Sequence, residues 1–176
     1  MLTSVHRRPT ALCHAGRGFS LIELMVTVAV LAVGLALAAP SLSTQIANYR
    51  LRSAAEGVLN GLNYARAEAV RRNSNVSFTL DANGAGWTVA QVSPAATLQS
   101  RANGDVPGVT AASTTSSLSV TFTPTGLVDT SGTRLSQVNL STSVSGAETR
   151  RIDIFGGGLI RVCTPSVTAV GDPRRC

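Results

Sequence analysis

The spacing of hydrophobic and polar positions changes twice along the chain. From Phe19 to Ala39 nearly every side chain is apolar, interrupted only by Ser20, Glu23 and Thr27. Those 21 residues predict about 31 Å of helix at roughly 1.5 Å per residue, which matches a bilayer core. Beyond Pro40, residues Leu51, Ala55, Val58, Leu62, Ala65 and Ala69 recur at helical spacing among Arg52, Glu56, Asn63, Arg66 and Arg71. This pattern predicts an amphipathic helix with one face laid on a domain. Pro40 has no amide hydrogen for the Ala36 carbonyl, so a kink or local melting is expected there. Gly57 and Gly61 either admit a close backbone approach or are tolerated as weak helix formers. Arg71 and Arg72 suit the carboxyl end of a helix, and Asn73 can stop it.

After Asn73 the pattern shifts to short β-type runs: Val76 to Leu80, Trp87 to Val92, Leu118 to Thr123, Gln137 to Thr142, Arg151 to Phe155 and Leu159 to Val162. Asn83-Gly84-Ala85-Gly86 reads as the loop of a first hairpin and Gly156-Gly157-Gly158 as that of a last one, with Thr123-Pro124-Thr125-Gly126 a further turn. The stretch Ser93 to Ser117, rich in Ala, Ser, Thr, Asn and Gly, predicts a long variable loop rather than a core element. The fold class expected is α+β, a long helix packed on antiparallel sheet.

Composition narrows the chemistry. The chain of 176 residues suffices for one modest domain with an attached element. All 15 basic residues are Arg, for a formal net charge of +6. Arg7, Arg8 and Arg17 precede Phe19, so a chain starting there keeps 12 Arg against 9 acids, a net +3. Such a balance permits contact with nucleic acid or an acidic surface without demanding it. Both histidines, His6 and His14, also precede Phe19. Imidazole-dependent triads, zinc sites and proton shuttles therefore drop out together. Cys13 lies in the same leading segment, which leaves Cys163 and Cys176 to form one disulfide in an exported chain.

Glu23 is the anomaly of the apolar run. A carboxylate in a bilayer costs on the order of 2.5 to 3.5 kcal/mol, so it needs a partner. The next basic side chain is Arg50. Three readings compete: a secretory signal cut at Ala36-Leu37-Ala38, a plain anchor with Glu23 near the interface, or a functional carboxylate. In the third, cleavage between Gly18 and Phe19 exposes an ammonium at the membrane edge, and a neighbouring subunit's amine neutralises Glu23 only at one stacking offset. The three arginines before Phe19 keep the amino end cytoplasmic.

Gly18-Phe19-Ser20-Leu21-Ile22-Glu23-Leu24, behind a basic leader and ahead of a long apolar run, resembles the type IV prepilin processing motif. The resemblance implies cleavage after Gly18 by prepilin peptidase, methylation of the Phe19 amine and an assembly role for Glu23. Pro40 also falls where such subunits often carry a proline. Leu62-Asn63-Tyr64-Ala65-Arg66-Ala67-Glu68-Ala69-Val70-Arg71-Arg72-Asn73 is similar to the end of the long helix in the GspH/FimT family of minor pilins and pseudopilins. Phe122-Thr123-Pro124-Thr125-Gly126 and Ile152-Asp153-Ile154 look like that family's strand and turn signals. The family plan has two sheets beside the helix. Implied are a leader at 1–18, an apolar helix at 19–50 as membrane anchor and filament core, and a periplasmic head at 51–176. The implied setting is the inner membrane and then a pilus, at or near its tip, with other major and minor pilins or pseudopilins as partners.

No catalytic set is recognised. Asp81-Ala82-Asn83-Gly84 starts like a calcium loop, but its twelfth position is Val92 rather than Glu. Gly156 to Gly158 lacks the Lys and Ser or Thr of a phosphate loop. No cofactor or metal set is read, and the chain is not expected to be an enzyme. Arg161, Arg174 and Arg175 surround the loop between Cys163 and Cys176, opposed by Asp172, and form a candidate phosphate-contacting cluster. A solvated or subunit-facing basic end is the other reading. FimT-type subunits linked to natural transformation bind DNA through a carboxyl-terminal Gly-Arg-x-Arg segment. Gly171-Asp172-Pro173-Arg174 matches it at Gly171 and Arg174, with an acid where the first Arg belongs. Arg175 restores the charge but not its position.

Overall fold

The structure, a computed structural model, describes residues 18–176 apart from the side chain of Pro40. The leader residues His6, Arg7, Arg8, Cys13, His14 and Arg17 lie outside the described residues. Helix α1 spans Leu21–Arg72. Ser20 sets its start: its Oγ accepts the Glu23 amide at 3.3 Å, leaving Phe19 and Ser20 ahead of the first turn rather than in it. The helical backbone runs through Pro40 without a break. A proline removes only one ladder bond, and the flanking Leu and Ala residues keep the turn, so the expected melting does not occur.

At the other end Asn73 adopts φ 50°. The Ser74 amide donates to the Ala69 carbonyl at 3.2 Å and the Asn73 amide to the Val70 carbonyl at 3.3 Å. This pair of bonds is a Schellman closure, with Asn73 as the left-handed residue.

Eight strands follow: β1 (Val76–Leu80), β2 (Trp87–Gln91), β3 (Ala96–Arg101), β4 (Val109–Ser113), β5 (Ser119–Phe122), β6 (Gln137–Thr142), β7 (Arg150–Ile154) and β8 (Ile160–Cys163). They form two four-stranded sheets ordered β3-β2-β1-β5 and β4-β6-β7-β8, and all the strand pairs are antiparallel. The β1–β2 and β7–β8 hairpins turn through the two glycine loops expected of them. The Thr123 turn closes with Gly126 at φ 76° and its amide 2.8 Å from the Thr123 carbonyl.

A second expectation is overturned. Residues 93–117 are not a long loop: they supply β3, a 3₁₀ turn at Asn103–Asp105, and β4. Val106, Val109 and Ala111 from this stretch are buried. The pattern is weak because β3 exposes most of its side chains, so no alternation marks it, and its pairing rests on backbone bonds to β2. Strand β4 does alternate, but through Ala as much as Val.

The chain divides into two compact units, 1–39 and 40–176. The described part of the first is the apolar stretch of α1 with the residues leading into it, its large side chains exposed. Contacts of the second unit begin ahead of Leu51: Ala47 is already buried, Thr44 donates to the Ser145 carbonyl, and Asn48 accepts the Glu148 amide. Within the head, Leu51, Ala54, Ala55, Val58, Leu62, Ala65 and Ala69 share one core with the inner faces of both sheets. A Cβ on Gly61 would lie 2.9 Å from the Phe78 ring and 3.0 Å from Trp87, and one on Gly57 would strike the Arg101 guanidinium. Both glycines therefore serve close approach.

Candidate processing and assembly site

The Gly18-Phe19 peptide bond lies ahead of the helix, and Phe19 is 81% exposed. Non-helical, accessible backbone at this point is what a peptidase needs, and the Ser20 cap supplies it by holding the first helical residue at Leu21.

Glu23 follows in the first turn of α1. Of the three polar side chains in the apolar run, two are satisfied within the helix. The Ser20 hydroxyl takes the Glu23 amide, and the Thr27 hydroxyl donates to the Leu24 carbonyl at 2.8 Å. The Glu23 carboxylate has no hydrogen-bond donor or ion pair among the described residues. Its place near the helix amino end gives it a favourable dipole. That interaction is modest beside the cost of a charge in lipid.

The carboxyl-terminal candidates meet a different fate. Cys163 and Cys176 form the expected disulfide, Cα to Cα 5.0 Å. The ring it closes folds back along the end of β8, where the Thr164 amide donates to the Arg174 carbonyl at 2.7 Å. Arg161 donates through Nη2 to the Arg175 carbonyl. Arg174 is held by Asp172, with Nη2 to Oδ2 at 2.8 Å and Nε to Oδ1 at 3.1 Å. These bonds, together with the Arg174 amide, hold the Asp172 carboxyl down to about 2. The acid thus neutralises the very arginine that matched the DNA-binding pattern. Asp153 stands opposite Arg161 in the β7–β8 register, so Asp172 is not the cluster's sole acid. The side chain of Arg175 makes no ion pair among the described residues. The structure brings the three arginines to one end of the head, with two of them engaged in tying down the ring.

A profile described as Type II transport protein GspH matches residues 54–158, and one described as the prokaryotic N-terminal methylation motif matches residues 14–39. The chain belongs to the GspH family. A Type II secretion system protein H from Xanthomonas campestris pv. campestris is 32% identical over 82 residues, which is 47% of this chain and 48% of that one. The chain thus spans about half the length of that curated relative. Two crystal forms of the type IV minor pilin FimU from Pseudomonas aeruginosa share the fold. One is 22% identical with TM-score 0.56, covering 68% of this chain and 95% of that one. The other is 23% identical with TM-score 0.51, covering 67% and 99%. The methylation motif coincides with the start of a helix that is long and apolar enough, by length and composition, to cross a membrane.

Within this GspH-family head, the residues that close α1 form a built site the sequence reading passed over. Glu68 is 7% exposed. Its carboxylate takes Arg71 through Nε at 2.9 Å and Nη2 at 2.6 Å, and Arg72 through Nε at 2.6 Å. Those two guanidinium groups hold its pKa down to about 2. Arg72 also reaches Gln91 on β2 at 3.2 Å. Arg71 and Arg72 therefore answer an acid on their own helix as well as its dipole. Arg66 donates to the Gly126 carbonyl at 3.0 Å. A Cβ on Gly158 would fall onto that same carbonyl, so the two glycine turns abut beneath the arginine. The signal was present in sequence as i, i+3 and i, i+4 spacing from Glu68.

Proposed function

We propose that this protein is a minor pilin that is cut after Gly18, methylated on the Phe19 amine and built into or used to prime a type IV pilus, at or near its tip. The observation that carries the reading is one carboxylate, Glu23, without a partner among the described residues, in an exposed apolar stretch of helix on the same chain as a GspH-type head. Such a helix is stable only in lipid or among like helices, and its acid is stable only beside a cation. The processed amine of a neighbouring subunit supplies that cation. Phe19 and Glu23 then set the stacking register. The apolar helix forms the anchor in the inner membrane and afterwards the filament core, while the head faces partners in the periplasm. Amino-terminal sequencing of the mature protein tests this: a start at Phe19 is expected, and a start at Ala39 would overturn it.

A second reading, a type II secretion pseudopilin, is favoured by the likeness to the Xanthomonas protein. The two readings share the chemistry of Phe19 and Glu23 and differ in the fibre that receives the subunit. Co-isolation with pilus fibres, or with the secretion apparatus, separates them. DNA capture through Arg161, Arg174 and Arg175 is the weaker role, because Asp172 holds Arg174.

A further inference from the structure

Strand β5 and the chain that follows it enclose a small cavity apart from the residues discussed above. The chain returns along β5 and is pinned to it twice: the Asp129 amide donates to the Thr121 carbonyl at 2.9 Å and the Leu135 amide to the Ser119 carbonyl at 2.7 Å. Between the two pins, residues 130–134 form a loop. Two further bonds fix its shape. Asp129 Oδ1 takes the Ser131 amide at 2.9 Å, an Asx turn, and the Arg134 carbonyl takes the Thr115 hydroxyl at 2.9 Å. Val120 and Phe122 are buried, so Ser119 and Thr121 lie on the opposite face of β5. That face and the loop bound a cavity of about 190 Å³.

Its wall is made of hydroxyl side chains such as Ser117, Ser119, Thr121 and Thr133, with one carboxylate, Asp129, and one guanidinium, Arg134. No aliphatic or aromatic residue lines it, so an apolar ligand finds nothing to bury against. The cavity is smaller than the roughly 300 Å³ at which drug-sized sites begin, which leaves room for one small molecule. The two charges share this space without forming an ion pair, with each other or with any other group among the described residues. The Arg134 side chain makes no hydrogen bond among those residues either, and its Nε is buried. The Ser131 amide, and after it the Ser131 hydroxyl, hold the Asp129 carboxyl below the usual carboxylate range, so it is charged at neutral pH.

We propose that this cavity binds a small zwitterion of the α-amino acid type, with its carboxylate on Arg134 and its ammonium on Asp129. The fork of guanidinium donors matches a carboxylate. Hydroxyls can donate to the one ligand group and accept from the other, which is the part left to Thr121 and Thr133. A bare anion is attracted by Arg134 and repelled by Asp129, and a bare cation meets the reverse, because both charges line the same small space. Only a ligand carrying both signs gains from both. Polyanions such as nucleic acid are disfavoured here on the same ground. The site is independent of which fibre receives the subunit.

Glycine is the probe, and its uptake is read by equilibrium dialysis of the radiolabelled compound against the full chain in non-ionic detergent. Saturable uptake is expected. N-acetylglycine, which lacks the ammonium, and glycinamide, which lacks the carboxylate, should each bind on the order of tenfold more weakly, as the loss of a charged hydrogen bond implies. Arg134→Gln and Asp129→Asn should each lower glycine affinity on the order of tenfold for the same reason. The melting temperature without ligand should be unchanged in both, since Asn keeps an oxygen for the Ser131 amide. No saturable uptake up to millimolar glycine overturns the proposal. Equal affinity for acetate or for either blocked compound does so too, as does full affinity in either variant. Should a variant fail to fold, the blocked compounds on the unaltered chain decide the outcome by themselves.

Discussion

Glu23 and Glu68 are two carboxylates on one helix in opposite circumstances. Glu68 is buried in the head, where two arginines of its own helix answer it. Glu23 lies among exposed apolar side chains such as Leu21 and Leu24, and its carboxylate has no partner among the described residues. The buried acid of the head is thus answered by its own helix, while the acid of the apolar stretch has no partner among the described residues. A subunit that must fold alone and then polymerise needs both conditions. On the proposed reading, local pairing protects the monomer and the missing pair drives and registers assembly.

The largest expected effect tests the unpaired side. Glu23→Gln should leave processing at Gly18 and the melting temperature of the head unchanged, yet lower incorporation into sheared fibres by at least about tenfold, as the cost of an intramembrane charge without its counter-ion implies. Immunoblots of the fibre fraction read it directly. Equal incorporation would show that the two acids do not differ in the way argued here.

The next effect concerns how the head completes itself covalently. Cys176→Ser opens a ring with a sequence separation of 13 residues and should lower head stability by about 3 kcal/mol in the chain-entropy estimate, as read by urea unfolding. Because the ring also ties Arg161 and Arg174 to their partners, proteolysis should start within residues 164–176.

Glu68 offers a finer test of the paired side. Glu68→Gln should cost about 2 kcal/mol at neutral pH, in the range of hydrogen bonds to charged groups, part of it lost to solvent because Arg71 is exposed. The sign with pH follows from a carboxyl lowered from 4.5 to about 2 in the folded state. Its contribution is complete above pH 4.5 and is lost as pH falls towards about 2. The wild-type head should therefore lose stability across that window, and the Glu68→Gln head should show a flatter profile. Parallel profiles would remove Glu68 from the account.

The smallest effect probes the basic ring. Asp172→Ala frees Arg174 and should strengthen retention of duplex DNA in a gel shift at low salt by a few-fold, with a steeper salt dependence. Arg174→Ala with Arg175→Ala should abolish any retention. No retention by either protein would confine these arginines to tying down the ring.

Much of this was legible residue by residue. The processing motif, the apolar run, the buried stripe from Leu51 to Ala69 and the glycine hairpins are all patterns within a few neighbours, and each stands where the sequence places it. Strand β3 was not legible, because an exposed edge strand needs no alternation. The role of Glu68 was missed because Arg71 and Arg72 read as dipole partners until burial showed an acid that required them. Asp172 was noted as a departure from a motif, but its grip on Arg174 needed the ring to be folded.

Sequence by itself determined where the processing motif and the apolar run lie and that Glu23 is the one acid within that run, since hydrophobicity, charge and capping act over one or two turns. Only the tertiary structure decided which arginines are already engaged and which glycines admit a neighbour. Those depend on contacts between residues far apart in the chain, and local spacing carries no record of them.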